Sequence, residues 1–195
     1  MSCKLHITLV KSKLRHNCVF SIQNFMNSKE NLVFLGMMGS GKSSIGLLVS
    51  KKMNINFIDV DNEIEKKIGM KISKIFENKG EKYFREIEEV ITLKFLKKKE
   101  TVISLGGGAF LNNKVREEVL NNHITFWLNW DIKTLVNRIK DSKKRPIAQK
   151  STKVEIEELI KKRSVIYSKA MYKINCENLT KNQIVEDIIK IYEAH

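Results

Sequence analysis

The chain has 195 residues, 42% of them hydrophobic and 30% charged, enough for one compact domain with a sizeable core and too little for two. Charges and amides interrupt every apolar run well short of the roughly 18 residues that a membrane span requires, so no membrane partner is expected. The formal net charge of +14 invites a nucleic-acid partner, but the lysines are scattered along the whole chain without the aromatic interleaving of a single-strand binder. Most are read as solvated helix faces that help gather anionic small molecules, and no nucleic acid is expected.

The same bias makes rare residues informative. Positive charge is supplied by 30 lysines and six arginines, and there are nine glycines and one proline. Positions that hold arginine, glycine or proline therefore point to a need for their geometry. Cys3, Cys18 and Cys176 are odd in number and show no paired spacing, which suits a reducing compartment and a cytoplasmic protein.

The first acidic residue is Glu30, preceded by Lys4, Lys11, Lys13, Arg15 and Lys29 among serines and asparagines. Residues 1–29 are read as an N-terminal extension, disordered or dispensable; a transit peptide, or a true start at Met26, are the competing readings. From Asn31 onward short apolar runs alternate with helical periodicity. "NLVFL" (31–35), "INFID" (55–59), "TVISL" (101–105), "ITFWL" (124–128) and "YKINC" (172–176) read as five strands of a parallel sheet with helices on both faces. Phe84, Ile87, Ile91 and Phe95 give a helix over about 81–98 one buried stripe, and Thr180 with Gln183 forms a capping-box pattern before the last helix.

Directly after the first strand stands "GMMGSGKSS", residues 36–44. Gly36, Gly41, Lys42 and Ser43 have the spacing of a phosphate-binding P-loop, in which backbone amides and a helix N-terminus wrap phosphate oxygens. Gly39, Ser40, Gly41, Lys42, Ser43 and Ser44 are accordingly expected to hold a nucleotide. Lys42 would bridge its β- and γ-phosphates, and the Ser43 hydroxyl would ligate Mg²⁺. A GTPase would need an N-K-x-D stretch, which is absent, and the D-G-[FY]-P-R stretch of adenylate kinases is excluded because the sole proline is Pro146.

The second strand ends in "FIDVDNEIE", with Asp59 and Asp61 two residues apart. If the strand continued, both would share a face at the carboxyl edge of the sheet, one holding Mg²⁺ and the other taking a proton from an alcohol; a turn or helix cap is the plainer alternative. In "GEKYFREIEE" Arg85 is expected on the helical face opposite the apolar stripe. There Glu88 and Glu89 explain it as a surface ion pair, although a fork that grips a carboxylate at two points requires arginine. Gly106, Gly107 and Gly108 in "SLGGGAF" would bring bare backbone against a ligand, or form a structural turn. "DSKKRPI" (141–147) places Arg145 in a lysine-rich stretch before Pro146, whose fixed φ limits the conformations lost when such a segment closes.

"GMMGSGKSSIG", "FIDVDNEIE", "GMKISKIFENKGEKYFREIE", "ISLGGGAF", "RPI" and "RSVIY" occur in an order that resembles the shikimate kinase family from about Asn31 to the C-terminus. The resemblance implies an α/β fold of the P-loop nucleoside-monophosphate-kinase type: a five-stranded parallel sheet flanked by helices, with an acceptor-binding region at about 61–96 and a lid at about 141–154. It implies ATP and Mg²⁺ as cofactors and phosphorylation of the 3-hydroxyl of shikimate, a step toward chorismate and the aromatic amino acids. Residues 30–195 would be the kinase-like domain, acting as a monomer on small molecules.

By the same resemblance Asp61 binds the shikimate hydroxyls and is the base, and Asp59 assists magnesium. Arg85 and Arg163 grip the shikimate carboxylate, with a Gly107 amide beside them. Arg145 is the lid arginine over the phosphates, and Arg138 lies beside adenine. Arg116 is left as an exposed helix charge. The chain departs from the family in lacking a proline in "RSVIY", in having Ile147 and Ala148 after the lid proline, and in placing Lys181 and Asn182 near the adenine loop. A gluconate-type kinase, another small-molecule P-loop kinase and a non-catalytic ATP-binding relative are the alternatives.

Overall fold

The computed structural model describes residues 30–140 and 151–195. Five strands, β1 (Leu32–Leu35), β2 (Asn56–Asp59), β3 (Thr101–Ser104), β4 (Ile124–Asn129) and β5 (Tyr172–Asn175), form one parallel sheet in the order β2-β3-β1-β4-β5. All five expected strands are present, with ends shifted by one residue at most. Their legibility has a physical cause: every residue of β1 and β3 is buried, so both faces must be apolar or paired.

Alternate residues of the strands feed two cores. Val33, Leu35, Ile103 and Trp127 face one side, where α3 (Ile72–Leu96), α4 (Asn113–Asn122), α5 (Ile132–Lys140) and α6 (Lys153–Tyr167) pack. Leu32, Phe34, Val102 and Phe126 face the other, against α1 (Lys42–Met53) and α7 (Lys181–Glu193). The short α2 (Val60–Ile68) continues directly from β2 and packs on α3. The connection after β1 runs to β2 on one side and the connection after β3 runs to β4 on the other, which opens a crevice at the carboxyl ends of these neighbouring strands.

Two helices refine the sequence expectation. The helix expected at about 81–98 is the second arm of α3 and ends at Leu96; a first arm from Ile72 precedes it, and Gly80, with φ of 78° and ψ of 172°, breaks the helical path between them. The periodicity from Phe84 onward belongs to the second arm alone. The capping box at Thr180 is present as expected: Gln183 N–H donates to Thr180 Oγ1 at 3.3 Å, and Thr180 N–H donates to Gln183 Oε1 at 2.9 Å. A second box, Thr152 with Glu155, caps α6. Among the described residues no helix is long and apolar enough to cross a membrane. Cys176 is buried as a free thiol whose pKa burial pushes up to about 12, while Cys3 and Cys18 lie outside the described residues.

His123, between α4 and β4, is buried with no hydrogen-bond partner for either ring nitrogen among the described residues. Burial holds its imidazole below the ordinary pKa of 6.5, with Glu118 at 3.9 Å pulling weakly the other way. The unfolded chain therefore takes up this proton more readily than the folded one. The stability that His123 contributes is present above about pH 6.5 and is lost as pH falls through its lower folded value. Thermal unfolding of the parent and His123→Leu through the weakly acidic range should show the parent's midpoint falling more steeply. Equal slopes would assign the acid sensitivity to other groups.

Candidate active site

The loop leaving β1 is held by glycines in conformations that side chains rarely adopt: φ is 143° at Gly36, 80° at Gly39 and 89° at Gly41. A Cβ on Gly36 would also meet Leu128 O and Ser40 Oγ, each at 2.9 Å. Gly41 is the N-cap of α1 and offers no side-chain acceptor, whereas α2, α4, α6 and α7 are capped by Asp59, Asn112, Thr152 and Thr180. The first turn of α1 also lacks acidic residues. Its amides are thus left for an external anion, and the helix dipole favours one. Lys42, largely buried, reaches back across the loop and donates from Nζ to the carbonyls of Gly36 (2.9 Å) and Met37 (3.0 Å). Ser43 and Ser44 are exposed beside it.

The two aspartates do not share a strand face. β2 ends at Asp59, which caps α2 by accepting from Asn62 N–H at 3.3 Å, and Asp61 stands in the first turn of that helix. Both nonetheless line one cleft with Ser43, because β2 delivers them to the same sheet edge as the phosphate loop. The cap reading and the ligand reading of Asp59 are compatible, since one carboxylate has lone pairs for both.

Arg85 does pair with Glu88, but the pair is not the solvated surface pair of the plainer reading. Its guanidinium turns into the cleft, donates from Nη1 to Glu88 Oε2 at 2.6 Å and forks from Nε and Nη2 onto Glu81 Oε1 at 3.2 and 3.0 Å. Glu88 is almost wholly buried and Glu81 is exposed. Burial works against the charge on Arg85, but the Glu88 and Glu81 carboxylates outweigh it and leave its pKa raised. Burial pushes the Glu88 carboxyl up; Arg85 opposes this and the neighbouring Asp61 adds to it. Arg163 of α6 enters from the other wall, 7% exposed, donating from Nη1 to the Gly107 carbonyl at 3.3 Å, and its Nε has no partner among the described residues.

The glycine triplet explains how so many charges fit. A Cβ on Gly106 would run into the carboxylates of Glu88 and Asp61, and one on Gly108 into the Arg85 guanidinium. A Cβ on Gly107 would stand 3.3 Å from Met38 N of the phosphate loop. The Gly107 carbonyl accepts from Arg163 and from the Tyr167 hydroxyl. Tyr167 is buried, and burial raises its pKa to about 12, so it stays a neutral donor. Arg116 is likewise more than an exposed charge: Nη1 donates to the carbonyls of Phe110 (3.3 Å) and Leu111 (3.0 Å), pinning the turn that follows the triplet.

The cleft of about 650 Å³ thus joins Asp61, Arg85, Glu88, Arg163 and the triplet to the Ser43 side of the phosphate loop. Arg138 is placed elsewhere, on α5 against the phosphate loop, and Arg145 lies outside the described residues. Sequence reasoning treated Glu88 as a surface partner and overlooked Tyr167 and Trp130. The i+3 spacing to Arg85 and the tyrosine of "RSVIY" were the available signals. Chemically, the arrangement offers a polyphosphate cradle on one side and, on the other, a fork-lined pocket for an anionic acceptor with a carboxylate beside it.

A family model for shikimate kinase matches residues 38–193. The chain belongs to the shikimate kinase family. It is 40% identical over 159 residues to a shikimate kinase of Persephonella marina, covering 82% of this chain and 96% of that relative. Over 165 residues it is 41% identical to a shikimate kinase of Thermodesulfovibrio yellowstonii, covering 84% and 95%. Among solved structures, a shikimate kinase of Acinetobacter baumannii in complex with shikimate matches with a TM-score of 0.81 at 28% identity, over 88% of this chain and 97% of that one. The shikimate kinase match spans the phosphate loop from Met38, the aspartates, the glycine triplet and all of α7.

Gly106→Ala should be poorly tolerated in this member of the family. The new methyl group must displace two carboxylates from a packed wall, an overpacking cost of about 1–3 kcal/mol. Urea denaturation should show a lower midpoint at unchanged slope, and a parental midpoint would contradict the close approach described for this glycine.

Proposed function

We propose that this protein is an ATP-dependent shikimate kinase, transferring the γ-phosphoryl group of ATP to the 3-hydroxyl of shikimate in the biosynthesis of chorismate and the aromatic amino acids. The observation that carries the reading is the convergence of Arg85 and Arg163 in one cleft on the phosphate-loop side of the sheet. A ring carboxylate fits between those guanidinium groups, with the Gly107–Tyr167 contact fixing the wall behind it. Substrate would exchange for the exposed Glu81 on Arg85 while the buried Glu88 keeps that side chain aimed.

In this reading Asp61 binds the acceptor hydroxyls and takes the proton of the attacking one, which brings the nucleophile close to the phosphate loop. Lys42 leaves its two loop carbonyls to meet the β- and γ-phosphates, and the amides of Gly39, Ser40, Gly41, Ser43 and Ser44 wrap them. Ser43 and Asp59, a hydroxyl and a carboxylate on one cleft wall, suit a hard cation that keeps much of its water, and would hold Mg²⁺, which neutralises phosphate charge when bound. Arg138 is assigned to the adenine side. Arg145 keeps the lid role implied by resemblance, forking onto the transferring group and helping exclude water.

The working unit we propose is residues 30–195, with an acceptor region at about 61–96 and a lid at about 141–154, acting as a cytoplasmic monomer on small molecules; residues 1–29 are dispensable to it. A gluconate-type kinase would not need two guanidinium forks for a ring carboxylate in these places.

Coupled ADP-release assays should give turnover with shikimate and none with gluconate; turnover with gluconate alone would reject the acceptor. Arg85→Lys keeps one charge but loses the fork, so it should raise the shikimate KM about tenfold or more with a smaller change in kcat. Arg145→Lys should show the reverse bias, lowering kcat at nearly constant shikimate KM. A rise in that KM alone would remove Arg145 from the lid.

A further inference from the structure

The indole of Trp130 makes contacts that the acceptor cleft does not use. Trp130 follows β4 immediately and precedes the cap of α5, where Asp131 Oδ1 accepts from Thr134 N–H at 2.8 Å, so its backbone is fixed between two regular elements. Its ring packs against both cores at the carboxyl edge of the sheet. Nε1–H donates to the carbonyl of Ser40 in the phosphate loop at 2.9 Å, and the Arg138 guanidinium lies over the ring face, 3.7 Å from its centroid. Gly39 completes the contact from the other direction: a Cβ there would stand 3.5 Å from Arg138 Cβ and 3.6 Å from Ile139 Cγ1. Neither Trp130 nor Arg138 lines the cleft of Arg85 and Arg163.

We infer that Trp130 is a positioning residue for the nucleotide: one ring holds the phosphate-loop backbone through its N–H and holds Arg138 flat through its face. This rests on the reading above that Arg138 grips the adenine end of ATP. A free arginine must give up rotamer freedom to lie against a ligand, and stacking on an indole removes that freedom beforehand. The Ser40 contact ties the same ring to the loop whose amides meet the phosphates, so base grip and phosphate grip are set from one side chain. Lys42, by contrast, reaches its carbonyls from within the loop and has no part in this link.

The test compares Trp130→Leu, Trp130→Phe, Arg138→Ala and the Trp130→Leu/Arg138→Ala pair in steady-state assays with ATP and shikimate varied in turn. Trp130→Leu should raise the ATP KM about tenfold, from loss of both the stacking and the hydrogen bond, with the shikimate KM within about twofold of the parent. Trp130→Phe keeps a ring face and should recover part of the ATP affinity. Because the indole acts partly through Arg138, the double variant should fall short of the product of the single effects. An unchanged ATP KM in Trp130→Leu, equal rises in both KM values, or strictly multiplicative effects would overturn the inference. If Arg138→Ala alone leaves the ATP KM unchanged, the adenine assignment of Arg138 fails and takes the inference with it. Should Trp130→Leu not fold, Trp130→Phe with Arg138→Ala carries the same comparison.

Discussion

The site depends on backbone without Cβ atoms lying against charged side chains. Arg85, Glu88, Asp61 and Arg163 come from three different helices and would repel or desolvate one another if each were simply packed in an apolar wall. The triplet Gly106–Gly108 lets carboxylates and guanidinium groups close on peptide units, and the Gly107 carbonyl then accepts from Arg163 and Tyr167. Arg85 and Arg163 bring two guanidinium groups to the cleft, and an added monoanion can replace exposed Glu81 on a fork that Glu88 already aims.

The phosphate loop applies the same constraint in another form. Positive φ at Gly36, Gly39 and Gly41 shapes the loop, and α1 has no side-chain cap to compete for the amides of its first turn. In α2, α4, α6 and α7 a polar N-cap side chain uses that capacity internally, and at α3, which has no such cap, Glu65 accepts from Ile72 N–H at 3.0 Å. An uncapped helix beginning with lysine is a local inconsistency with a functional reason.

This difference sets what could be read from the sequence. Strands were legible because residues buried on both faces must be apolar, and the phosphate loop because three glycines and a lysine at fixed spacing have few other uses. Asp59 and Asp61 were found for a partly mistaken reason: the strand stops at Asp59, and the turn into α2, not a shared strand face, brings them to one edge. Glu88 was misread because i+3 spacing to Arg85 describes a surface pair and a buried one equally well. Burial depends on what α3 packs against, which the local sequence does not specify. Gly80 shows the same limit, since a lone glycine in a helical pattern is compatible with continuation or with the break that occurs there.

Arginine usage links these observations. Lysine dominates the chain, yet each described arginine makes contacts that a single ammonium would reproduce poorly. Arg85 forks between two carboxylates, Arg116 meets two carbonyls through Nη1 and Asn113 through Nη2, Arg138 lies over an indole, and Arg163 is buried against a carbonyl. Planarity and a delocalised charge are the common requirement, and both matter more where water is scarce. Lysines can vary across the solvated helix faces with little consequence, while the arginines fix the turn after the triplet, the acceptor wall and the nucleotide edge. Compositional bias toward lysine therefore makes the remaining arginines a map of where geometry, rather than charge alone, is required.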